Sequence, residues 1–358
     1  MSTQSETANG RLLSYADALR EAVDQEMARD ENVFTFGIDV DDHVAIQGTT
    51  RGLRERYGAD RVFSTPLSED AMTGFAVGAA MAGMRPIHVH IRQDFLLLCM
   101  NQMINMAAKT HYMYGGLLKA PLVERAIIGK SWGQGPQHSQ ALYSLFAHIP
   151  GLKVVAPSNA SDAKGCMIAA IRDDNPVVFT EHRLLYYAEA FVPEEPFEVL
   201  PGRSRVCTEG TDVTLVGISN MVPECLRTAE LLADAGISAE VIDPIWLRPL
   251  DTDTIIASVA KTGRLLVVDN AWTACGMSAE ILACVAESEA LAGGAQLARM
   301  GFAPTTCPTT PTIEEDFYPN PATIASKVYS MVKPGADAWA PDPEKAKLAY
   351  QKQFKGPF

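Results

Sequence analysis

Residues 121–140 read PLVERAII followed by GKSWGQGPQHSQ. The first part is a short, largely apolar run. The second is a glycine-rich stretch with one histidine, His138, ahead of a helical pattern. A strand apolar on both faces predicts a parallel sheet covered on both sides. In open sheets of that kind, loops at the carboxyl ends of strands hold ligands.

Outward from this stretch, apolar runs at 32–37, 86–91, 152–156 and 176–180 read as further strands. Runs at 15–29, 68–83, 96–112 and 162–172 read as helices. Strand–helix alternation of this kind predicts an α/β domain over 1–190. Residues 187–204 hold Pro193, Pro196 and Pro201 among several acids and read as a linker, centred on 191–204. A second α/β domain follows over 205–335, with strands at 212–218, 237–242, 264–269 and 296–301. Helices are expected at 223–235, 252–261 and 276–290, and a Pro- and Lys-rich tail over 336–358.

The 358 residues are 47% apolar and 20% charged, which suits two domains, each with its own core. A net charge of −13 argues against a nucleic-acid surface, since no basic stripe is there to neutralise phosphates. The polar start MSTQSETANG and the lack of a long apolar run point to a cytoplasmic protein. The seven cysteines form no C-x-x-C pair and are expected to be reduced thiols.

Two segments carry chemistry. Residues 65–71, TPLSEDA, open a helix rich in glycine and alanine. Ser68 is placed to cap that helix and Glu69 and Asp70 to complement its dipole, which explains acids here without any function. The small residues that follow allow another backbone to approach closely. The second segment is the loop of residues 129–140, which matches no phosphate-binding glycine motif. His88 and His90 share one face of a strand, but the sequence offers no third metal ligand beside them. His148 and His182 read as structural.

Taken in order, residues 65–86, 94–116, 135–165 and 169–187 resemble the β subunit of the decarboxylating component of 2-oxo acid dehydrogenase complexes. That group includes the pyruvate, branched-chain and acetoin enzymes and is similar to the second half of transketolase. CGMSAEI at 275–281 and EDFYPN at 315–320 fit the same pattern. The resemblance implies a pyrimidine-binding thiamine-diphosphate fold followed by a transketolase C-terminal-like domain. Glu69 then falls on the family's cofactor-activating glutamate, whose buried carboxyl bonds the pyrimidine ring and promotes loss of the thiazolium proton. Burial is expected to raise its pKa. Leu67, Ser68, Ile91, Phe95 and Leu98 fall on cofactor contacts, with Phe95 stacking on the pyrimidine. His138 falls on the substrate-facing histidine. A potassium site would fall on Leu122, Ala170, Ile171, Asp173 and Asn175, although Asp173 and Asn175 also read as a simple turn before Pro176.

The Gly-Asp-Gly motif that holds Mg²⁺ and the diphosphate is absent from the chain. The resemblance therefore implies an α-type partner in an α₂β₂ heterotetramer, with a lipoyl acyltransferase as a third protein. Two positions depart from the family pattern. Ile38 stands where a glutamate is usual, and Arg92-Gln93 replaces an apolar or aromatic stretch. An arginine there suits an anionic or polyhydroxylated substrate, or else it pairs with Asp94 or with the α chain. The leading expectation is oxidative decarboxylation of a 2-oxo acid with acyl transfer to a lipoyl carrier. The alternative is a two-component transketolase-like or acyloin-forming enzyme that moves a C2 unit. A non-catalytic paralogue is a third reading, disfavoured because Glu69 and His138 are both present.

Overall fold

The computed structural model describes residues 10–42, 46–130 and 134–346. Residues 1–9 and 131–133, and the expected tail beyond 346, lie outside the described residues. In chain order the strands are β1 (Gly10–Ser14), β2 (Val33–Gly37), β3 (Val62–Ser64), β4 (Arg85–His90), β5 (Val123–Ile128), β6 (Lys153–Val155) and β7 (Val177–His182). They continue as β8 (Glu189–Pro193), β9 (Arg205–Thr208), β10 (Val213–Gly217), β11 (Ala239–Asp243), β12 (Trp246–Arg248), β13 (Arg264–Trp272) and β14 (Gln296–Phe302).

The first sheet has the order β12-β6-β7-β5-β4-β2-β3, and all its pairings are parallel except that of β12 on β6. β2, β5 and β7 are buried at every residue, as expected of strands covered on both faces. The second sheet has the order β14-β13-β10-β11-β9, parallel save for the edge strand β9. The chain is thus two α/β units, as the strand–helix alternation predicts. One apolar core lies between the helices Tyr15–Arg29 and Ala160–Arg172 and the first sheet. Another runs without interruption from Phe36 and Val154 in the first unit to Val216 and Leu265 in the second. Among the described residues no helix is long and apolar enough to cross a membrane, and all seven cysteines are free.

Three expectations need correction. The expected linker contains β8, which pairs antiparallel with β1 so that Gly10 faces Pro193. Two short strands far apart in sequence stabilise each other there, which local pattern does not reveal. The single helix expected over 96–112 is instead a 3₁₀ turn (Gln93–Cys99), a π-helical stretch (Asn101–Ala107) and a short α-helix (Ala108–Met113). The change of winding keeps Leu96, Cys99, Met103 and Ala107 buried in the core. Finally, β12 belongs to the second unit by sequence but completes the edge of the first sheet, with Trp246 opposite Val155.

Candidate active site

Glu69 is the first residue of the helix Glu69–Met81. Ser68 holds the N-cap position but makes no side-chain capping bond, so the expected cap is not formed by its hydroxyl. The acids at 69 and 70 still face the positive end of the helix dipole. Glu69 is only half-buried, while Leu67 and Leu98 are exposed at 78% and 58%. The apolar enclosure expected around Glu69 is therefore partial in this chain alone.

Phe95 follows β4 and meets the His138 ring edge-on, with centroids 5.2 Å apart. The two side chains come from loops beyond β4 and β5, at the carboxyl edge of the sheet, where the open-sheet rule places ligands. Ile91 is partly buried against the core beneath them.

Arg92 and Gln93 turn inward. The Gln93 amide donates to Thr180 Oγ1 at 3.0 Å and accepts from the Leu142 backbone N–H at 2.6 Å, so it fastens the site loops to β7. Arg92 is 3% exposed and forms no ion pair with any described residue. One of its amino groups donates to Gln134 Oε1, while Nε and Nη1 are buried without partners. Arg183 donates to the same Gln134 oxygen at 3.2 Å. Of the pairings expected instead, that of Arg92 with Asp94 is not formed. Asp94 accepts instead from Gln140 Nε2 at 2.8 Å.

Two guanidinium groups thus converge on one neutral oxygen. Burial pulls the Arg92 pKa below the usual arginine range. Burial and the charge of Arg92 pull Arg183 down to about 10. Nearby His182 is pushed down to about 3 by burial, then by Arg183, Lys130 and Arg92. Positive charge is concentrated in this corner of the site.

The oxygens assigned to potassium have other company. The Arg85 guanidinium donates to the carbonyls of Ile171 and Asp173 at 2.9 and 3.0 Å. The Leu122 carbonyl accepts from Val177 N–H at 2.8 Å, and the Ala170 carbonyl from Asp173 N–H at 3.3 Å. The Asp173 carboxylate takes the Asn175 amide at 3.0 Å and pairs with Lys153.

The third ligand missing beside His88 and His90 is present in space. Glu124, the second residue of β5, is the register partner of His88. Its Oε2 lies 2.7 Å from His90 Nε2 and 3.0 Å from His88 Nδ1. Burial alone would push the Glu124 carboxyl up, but His88 and His90 hold it down at about 2. Glu124 and Arg183 escaped the sequence reading because both sit in or beside strands whose neighbours are apolar. The one available signal was a charged residue inside a run otherwise suited to full burial.

Comparison with known proteins identifies the two domains. The model of the transketolase pyrimidine-binding domain matches residues 12–189, and that of the transketolase C-terminal domain matches 202–324. The acetoin:2,6-dichlorophenolindophenol oxidoreductase subunit beta of Cupriavidus necator is 42% identical over 91% of this chain and 99% of its own. The human mitochondrial pyruvate dehydrogenase E1 component subunit beta is 42% identical over 78% of this chain and 79% of its own. A solved structure described as "Split gene transketolase, inactive beta4 tetramer" superposes with a TM-score of 0.74 at 19% identity, over 90% of this chain and 99% of that one, and so shares the fold. The chain therefore belongs to the family of acetoin and pyruvate dehydrogenase E1 β subunits, built from a transketolase pyrimidine-binding domain and a transketolase C-terminal domain.

Proposed function

We propose that this chain is the β half of a thiamine-diphosphate enzyme that oxidatively decarboxylates a 2-oxo acid and passes the acyl group to a lipoyl carrier, acting with an α-type partner. The observation that carries this reading is the grouping of Glu69, Phe95 and His138 on one open edge of the first sheet. Thiamine diphosphate supplies a carbanion-stabilising centre when bound. The residues present fit one half of it. Glu69 would hold the pyrimidine ring by a hydrogen bond, Phe95 would pack on it, and Leu67, Ser68, Ile91 and Leu98 would line it. His138 would exchange protons with the substrate. Nothing in the sequence offers the Gly-Asp-Gly motif for Mg²⁺ and the diphosphate, so those contacts fall to the partner.

The exposed apolar side chains support such a partner. Leu67, Phe75, Leu98, Met106, Tyr112 and Leu117 are all at least 47% exposed and lie on segments that also carry the site. A surface of that kind marks a protein interface. In an α₂β₂ assembly it would close over Glu69 and supply the missing burial.

Arg92 extends the reading to substrate class. A buried guanidinium without an ion pair suits the clamping of an anionic group on the substrate. Co-production with an α-type partner, followed by reduction of dichlorophenolindophenol with a panel of 2-oxo acids and acetoin, tests the proposal. Activity that requires both chains and thiamine diphosphate is expected. Full activity of the isolated β chain, or none of the assembled pair on any such substrate, overturns it.

A further inference from the structure

Behind the pyrimidine-facing surface lies a cluster that the reaction above does not use. Strand alternation puts the side chains of residues 88 and 90 on one face of β4, and register brings residue 124 of β5 alongside them. Three donor atoms converge there. His90 Nε2 to Glu124 Oε2 is 2.7 Å, His88 Nδ1 to Glu124 Oε2 is 3.0 Å, and His90 Nε2 to His88 Nδ1 is 3.1 Å. All three residues are at most 3% exposed.

Hydrogen bonds cannot satisfy this triangle while Glu124 is ionised. If both rings donate to the carboxylate, two N–H groups face each other across 3.1 Å. If one ring donates to the other, a bare ring nitrogen faces a carboxylate oxygen. With the carboxylate ionised, one edge is frustrated in every assignment of the ring protons. In addition, Glu124 Oε1 is buried without a partner. A cation at the centre relieves every edge. Donors about 2.1 Å from a metal and at right angles, as in an octahedral site, stand about 3.0 Å apart, and the three spacings here are 2.7, 3.0 and 3.1 Å.

The geometry points to a divalent first-row transition-metal site formed by His88 Nδ1, His90 Nε2 and Glu124 Oε2, of the class of Zn²⁺, Fe²⁺ or Co²⁺. Two imidazoles and one carboxylate are the ligand set such ions take, and they do not suit the all-oxygen preference of Mg²⁺. The Phe36 ring stacks on His88 at 4.5 Å with the planes 3° apart, fixing that imidazole in place. Thr73 Oγ1, from the helix that begins at Glu69, lies 3.3 Å from His88 Nδ1 and lines the cluster on that side. The inference stands apart from the proposed activity, and its failure would leave that reading intact.

The test uses the assembled enzyme, dialysed against metal-free buffer and then exposed to Zn²⁺ or Co²⁺. Elemental analysis is expected to show about one equivalent of transition metal per β chain. The Co²⁺ form should show visible d–d bands without the near-ultraviolet band of cobalt–thiolate bonds. Glu124→Gln and His90→Gln should each weaken binding at least about tenfold, with circular dichroism confirming the fold. No metal uptake by the wild type, unchanged uptake in both variants, or a thiolate band from the free cysteines overturns the site. The wild-type spectrum decides the ligand class even if a variant fails to fold.

Discussion

Glu69 stands at the amino end of its helix, half-buried, beside a surface rich in exposed apolar groups. If its carboxyl shares a proton with the cofactor ring, Glu69→Gln keeps shape and polarity but not that exchange. Turnover of the assembled enzyme is expected to fall by about 10²–10⁴-fold with assembly unchanged. The measurement is kcat together with deuterium exchange at the thiazolium carbon, and near-normal exchange would remove Glu69 from the reaction. Arg92 offers a prediction of opposite sign in two assays. A buried guanidinium with no ion pair is costly, so Arg92→Leu should leave the free chain as stable or more stable in urea. The same variant should lose about 2–5 kcal/mol in kcat/KM for a substrate whose anionic group it clamps, and less for a neutral one. Equal loss on every substrate, together with a lower urea midpoint, would assign Arg92 to structure. Both residues were singled out in the sequence, Glu69 by the stretch around it and Arg92 by its departure from the family pattern. Glu124 and Arg183 were not, since their importance comes from strands and loops that meet only in space.

β5 shows how much an element can hide. By composition it is a short apolar run, yet Glu124 and Arg125 point to opposite faces of the sheet, one into the histidine cluster and one toward β7. Arg125 donates to both oxygens of Glu181 at 2.5 and 3.0 Å, and Tyr186 OH donates to the same carboxylate at 2.9 Å. Neither charged side chain is exposed. Removing one partner strands the other charge in the core. Arg125→Met is expected to cost about 3–5 kcal/mol, whereas Arg125→Met with Glu181→Leu should recover much of that loss. Urea unfolding of the single and double variants measures both, and additive losses would contradict the pairing. Nine strands of the two sheets were legible because continuous apolar runs have few other interpretations, whereas the short edge strands β3, β9 and β12 were not. The winding of residues 93–113 was not, because the 3₁₀ turn and the π-helical stretch are each only seven residues long, too short to show a period distinct from that of an α-helix.

At the scale of the molecule, the two units are joined by buried polar contacts. Tyr143 OH donates to Asp269, the Ser158 hydroxyl to Asp243, and Arg205 Nη1 to Asp162 at 2.6 Å. Burial, with Asp162 adding to it, pushes the Asp243 carboxyl up to about 7, and burial pushes Asp269 up to about 6. The unfolded value is about 3.9. A carboxyl whose folded pKa is raised holds its proton more tightly when folded. Its contribution to stability is full below about pH 4 and is lost as pH rises through the folded pKa. These two groups should therefore make the chain less stable across about pH 4 to 7, with little further change above. Asp243→Asn and Asp269→Asn should flatten the slope of the urea midpoint against pH, and an unaltered slope in both would refute their role. None of this was visible in sequence, where each aspartate simply ends or follows a strand.

The placement of β12 also constrains the order of events at the ribosome. β6 is the edge of the first sheet until Trp246–Arg248 arrives to pair with it, and that segment is synthesised after most of the second unit's first strands. A nascent chain stopped in the proline-rich stretch before residue 205 would expose an unpaired strand edge and the apolar surface that Trp246 covers, the two features that invite intermolecular strand pairing. The amino-terminal half is thus the part of this molecule most in need of protection during its own synthesis, and its completion is a signal that arrives only from the other half.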